Sequence, residues 1–188
     1  MWKPLPYSID AEDLAEPPPI AVEHRSAMTD RFVRIDLGRQ LLELREGAHV
    51  RHRYPVSTSK HGAGELAGSY KTPRGLHVIR AKIGAGQPRG TVFVARRPTG
   101  EIYSDSLACT QPARDWILTR ILWLSGLERG KNRLGNVDTM RRYIYIHGTP
   151  DSCKLGVPES IGCVRMSSDA IIELFDLVFV GSRVEIVE

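Results

Sequence analysis

Arg31-Phe32-Val33-Arg34-Ile35-Asp36 alternates polar and apolar residues, the pattern of a half-buried β-strand. Leu37-Gly38-Arg39 supplies a turn, and Gln40-Leu41-Leu42-Glu43-Leu44 returns as a second strand. Further along, Ala48 to Val56, Gly75 to Arg80, Thr91 to Ala95, Arg142 to His147 and Ser182 to Val187 read the same way. Many short strands separated by Gly and Pro turns predict a mainly β fold, an antiparallel sandwich or barrel with short helices. Two segments have helical spacing instead. Pro112 to Ser125 spaces Ile117, Leu118, Ile121, Leu122 and Leu124 as a helix would, ahead of Gly126. Ser168 to Val180 carries a second apolar stripe, with Ser167 or Ser168 as N-cap and Gly181 as stop.

The 188 residues are 41% hydrophobic, enough for one well-cored domain but not for two. Residues 1–28 read as an irregular, acidic, Pro-rich leader and 29–188 as the folded domain, with 104–141 as a helical insertion capping a cleft. The net charge of +4 is spread thinly, without a basic helix or aromatic-studded strand, so no nucleic-acid partner is expected. No stretch is apolar enough for a secretory leader or a membrane span, and a cytoplasmic location is expected, or a periplasmic one if a leader once preceded the chain. Cys109, Cys153 and Cys163 are an odd number and suggest no disulfide framework. Cys153 with His147 and Cys163 lacks the paired spacing of a structural zinc site, so no metal or other cofactor is expected.

Chemistry concentrates between His147 and Cys163, sixteen positions apart. A thiol is a strong nucleophile only as thiolate, and a nearby imidazole can take its proton. His147 ends a strand and Cys163 ends a Gly/Pro-rich loop long enough to fold back beside it. Gly148 lets the chain turn after the base, and a backbone carbonyl in that turn can fix the imidazole tautomer. Gly162 lets the N–H groups of Gly162 and Cys163 approach a developing oxyanion. Tyr145 lies two positions before His147 on the same strand face. Lys131, Arg133, Arg141 and Arg142, in or beside the insertion, are candidates for binding carboxylates.

The run His147-Gly148-Thr149, together with Ser160-x-Gly162-Cys163-Val164-Arg165-Met166, closely resembles the signature of the L,D-transpeptidase catalytic domain, the YkuD-like family. Val56-Ser57-Thr58-Ser59-Lys60 and Lys71-Thr72-Pro73-Arg74-Gly75 are similar to its second landmark, a Ser/Thr-rich strand end followed by a Thr-Pro-x-Gly turn. The resemblance covers about residues 31–188. It implies a curved β-sheet or sandwich, and an enzyme whose cysteine attacks the L,D-peptide bond of a peptidoglycan stem tetrapeptide, releasing D-Ala. It makes Cys163 the nucleophile, His147 the base and Gly148 the carbonyl that orients it. Gly162 and Cys163 become the oxyanion donors, and Arg165 takes the polar position after the nucleophile. It also implies acylation by carbapenems. One position departs from the family: the residue before Gly162-Cys163 is Ile161, where a histidine is usual. That departure and the lack of a leader favour hydrolysis, an L,D-carboxypeptidase of cell-wall recycling, over cross-link formation. An idle wall-binding module is the remaining alternative.

Overall fold

The computed structural model describes residues 31–188, and the leader read at residues 1–28 lies outside them. Ten strands form one open mixed sheet: β1 (Arg31–Asp36), β2 (Leu41–Glu46), β3 (His49–Pro55), β4 (Gly75–Ile83), β5 (Thr91–Val94), β6 (Arg97–Ile102), β7 (Ile117–Gly126), β8 (Tyr145–Gly148), β9 (Val164–Met166) and β10 (Arg183–Val187). Their order is β3-β2-β1-β10-β4-β7-β5-β6, with β8 joined to β7 and β9 to β8. Pairing is antiparallel except for β1 with β10 and β8 with β9. Bulges interrupt the β2–β3, β4–β7, β5–β6 and β7–β8 ladders. Each adds local twist, which bends the sheet.

The alternation of the opening strand is realised: Val33 and Ile35 are fully buried while their neighbours are not. The main core lies where these residues meet Leu42, Ile79, Leu122, Ile146 and the inner face of helix α2 (Ser168–Leu177). Ser167 caps α2 by accepting from the Ala170 N–H at 3.2 Å, and Ile171, Leu174 and Phe175 are buried. Past its end, Gly181 takes a positive φ of 99°.

The helix expected over 112–125 is not formed. Residues 117–126 are instead β7, the central strand, bonded to β4 and β5 and to β8. Its side chains are buried on both faces, so the apolar run lacks strand alternation and coincides with helical spacing. The helical cap read over 104–141 is corrected with it. Only α1 (Asp105–Thr110) is helical there besides one 3-10 turn, and α1 packs Leu107 and Ala108 against Val92, Trp116 and Leu118. Two strands besides β7 were not foreseen. β6 is an exposed edge containing Pro98 and Gly100, and β9 is three residues long. No described helix is long and apolar enough to cross a membrane.

Candidate active site

Parallel pairing of β8 with β9 sets Ile146 beside Val164, His147 beside Arg165 and Gly148 beside Met166. Cys163, one residue before β9, therefore reaches the start of β8, where the Tyr145 N–H donates to its Sγ at 3.4 Å. Ile121, Phe93 and Tyr145 form a small apolar cluster against which Cys163 packs.

His147 is fully buried. Its Nδ1 lies 2.8 Å from the Gly148 carbonyl oxygen, which assigns the proton to Nδ1 and leaves Nε2 as the acceptor. That Nε2 is buried without a hydrogen-bond partner among the described residues. Only glycine fits at 148: a Cβ there would stand 2.7 Å from the Leu118 carbonyl oxygen, at the β7 bulge. Pairing of Gly148 with Leu118 and Met166 holds the carbonyl that orients the ring.

Cys163 does not hydrogen-bond to His147. Its thiol donates to the Tyr143 carbonyl at 3.5 Å, and burial pushes its pKa up to about 12 despite the Tyr145 N–H. Burial also lowers the pKa of His147, partly offset by Asp115 and the Gly148 carbonyl. Burial thus favours the neutral form of each group.

The loop before Cys163 is clamped by both upstream landmarks. Ser57 and Arg165 exchange backbone hydrogen bonds of 3.0 and 2.9 Å, and the Ser160 N–H donates to Thr58 O at 2.9 Å. Thr72 Oγ1 accepts from the Ser59 N–H and donates to Gly162 O, both at 3.0 Å. Ser160 Oγ donates to Cys163 O at 2.6 Å and accepts from the Gly162 N–H at 3.2 Å. Of the two oxyanion donors expected, Gly162 N–H is therefore committed to Ser160, leaving that of Cys163. Gly162 itself sits at φ 129°, a backbone conformation that favours glycine.

The expected arginines separate. Arg165 is tied to Asp115 at 2.6 Å and is not free to bind a ligand carboxylate. Arg142 donates to the carbonyls of Gly64, Glu65 and Lys71, so it braces the 64–71 loop even though it lines the cleft. Arg141 lines a neighbouring groove with Ala67 and Gly68. Arg133 is exposed in the loop after β7 and does not line the cleft. Tyr145 does line it, with its ring edge to Trp123.

Two residues went unnoticed in the sequence. Asp115 faces the site from the segment misread as helix, and its charge favours protonation of both His147 and Cys163. Arg96, at the β5–β6 turn, reaches into the same cleft of about 530 Å³ beside Tyr143, Tyr145, Ile161 and Cys163. Neither lies in a motif. Among the described residues no group of three or more His, Cys, Asp or Glu side chains is placed to hold a metal ion.

A mixed sheet with His147 on β8 and Cys163 just before the parallel β9 agrees with one class, the L,D-transpeptidase-like domains. The family model "L,D-transpeptidase catalytic domain" matches residues 30–186, and the chain belongs to that family. Solved structures share the fold. An L,D-transpeptidase from Mycobacterium smegmatis is 17% identical, covering 85% of this chain and 59% of that one, with a TM-score of 0.51. L,D-transpeptidase 3 from Mycobacterium tuberculosis, carrying a faropenem-derived adduct, is 15% identical over 85% of this chain and 60% of that one, with a TM-score of 0.52. The chain thus spans less than two thirds of the length of these neighbours. A search of curated proteins gave no match.

Proposed function

We propose that the protein is a cysteine acyl-transfer enzyme that cleaves the L,D-peptide bond of peptidoglycan stem tetrapeptides and hydrolyses the resulting thioester. The observation that carries this is the buried imidazole, its Nδ1 anchored on Gly148 O and its Nε2 unpartnered, one strand from a thiol that opens on the cleft. Cys163 Sγ leaves the Tyr143 carbonyl and gives its proton to His147 Nε2. Sulfur attacks the carbonyl carbon, and the oxyanion forms against the Cys163 N–H. Collapse breaks the C–N bond, the His147 proton goes to the departing D-Ala amine, and the acyl group stays on sulfur. Water, deprotonated by His147, then attacks the thioester, releasing tripeptide and restoring the thiol. Arg165 and Asp115 hold the loop and balance charge around the pair.

Hydrolysis is favoured over cross-linking by Ile161, which is 45% exposed at the cleft wall. An aliphatic side chain offers an incoming amine no hydrogen bond, and an acceptor must be held at high effective concentration to outcompete water. The test is mass spectrometry of the products formed from free tetrapeptide across a range of acceptor concentrations. Tripeptide and D-Ala should dominate throughout. Dimer as the major product at modest acceptor levels would replace the carboxypeptidase reading with a transpeptidase one.

A further inference from the structure

We propose that Arg96 is the residue that binds a carboxylate of the peptide seated beside Cys163, a specificity contact supplied by the β5–β6 turn. Val94-Ala95-Arg96-Arg97 closes the hairpin in two residues, with φ 48° at Ala95 and 67° at Arg96. Such primed turns normally use Gly or Asn, because other side chains resist a positive φ. Here the unusual backbone swings the Arg96 side chain back over the cleft.

Three contacts fix the guanidinium there. It lies 4.6 Å from the centre of the Trp123 ring and 5.0 Å from that of Tyr143, and its Nη1 donates to Tyr145 Oη at 3.0 Å. Among the described residues no carboxylate pairs with it, whereas the two other arginines near Cys163 are committed, Arg165 to Asp115 and Arg142 to three carbonyls. Arg96 therefore presents an uncompensated charge with its remaining N–H donors unassigned. A planar fork of that kind pairs best with a carboxylate, and aromatic rings on which it rests reduce the ordering cost. The ligand class is an anionic peptide. This assignment rests on the cleft being the peptide site, and the aromatic seat and missing counter-ion are its own support.

Two measurements separate its failure from failure of the functional reading. The first compares iodoacetate with its neutral analogue iodoacetamide, following alkylation of Cys163 by peptide mapping. The ratio of the two rates reports positive charge at the thiol and needs no substrate. Arg96→Gln should lower that ratio about fivefold, Arg96→Lys should keep most of it, and Arg97→Gln, on the exposed side of the same turn, should leave it unchanged. The second is turnover of tetrapeptide, where Arg96→Gln should raise KM about tenfold with kcat within about twofold, and Arg96→Lys should fall between. An unchanged ratio in Arg96→Gln, an equal fall in Arg97→Gln, or an unmoved KM overturns the proposal. If the wild type turns over no tetrapeptide while the ratio still depends on Arg96, the anion site stands and the peptidase reading falls.

Discussion

Cys163 precedes β9 and His147 lies on the paired strand β8, with no hydrogen bond between them, and this sets how the thiol should titrate. With Sγ donating to Tyr143 O and its pKa pushed up to about 12 by burial, little thiolate exists near neutrality in the free protein. Alkylation by iodoacetamide requires thiolate. Its rate at Cys163 should therefore climb steadily from pH 6 to 10, about tenfold per unit, without a plateau near the ordinary thiol value. A plateau beginning at or below pH 7 would mean a preformed thiolate–imidazolium pair and contradict the resting state described here. The candidate pair was legible in the sequence through the family resemblance of His147-Gly148-Thr149 and Ser160-x-Gly162-Cys163, spacing alone being a modest signal. Its resting geometry was not, because a rotamer leaves no trace in sequence. The role of Gly162 N–H was likewise hidden: Ser160 Oγ competes for it from two residues away.

At the scale of elements, the Ser/Thr strand end and the Thr-Pro turn prove to be a clamp. Fully buried Thr72 links the Ser59 N–H to Gly162 O, joining the two landmarks at the residue before Cys163. Thr72→Val keeps the shape but leaves a buried N–H and a buried carbonyl unpaired, a loss of about 1–3 kcal/mol. The thermal midpoint should fall by several degrees, about 2–4 °C per kcal/mol, and D-Ala release should fall further than the folded fraction does. A variant as stable and as active as wild type would show that the clamp is dispensable. The misread element is β7. Sequence periodicity identifies a strand by its contrast between two faces, and a strand buried on both has none. That single error displaced Asp115 from the site and made the insertion arginines seem its natural lining.

Across the whole molecule, the mainly β architecture followed from seven short strands legible in their own residues, although β6, β7 and β9 were not. The order of the strands did not follow, since β1 pairs with β10 and β7 meets three neighbours through contacts far apart in sequence. The sheet's function is to bring β8 and β9 side by side under the cleft while β4 and β5 support β7 from its other edge. Acyl transfer at Cys163 is the claim on which the rest depends, and covalent capture tests it most directly. Incubated with imipenem and read by intact mass, the wild type should gain one adduct that maps to Cys163, formed much more slowly in His147→Ala. Cys163→Ala should gain none, while Cys109→Ala and Cys153→Ala should react as wild type does. An adduct that persists in Cys163→Ala, or none in the wild type after prolonged incubation, would contradict the account.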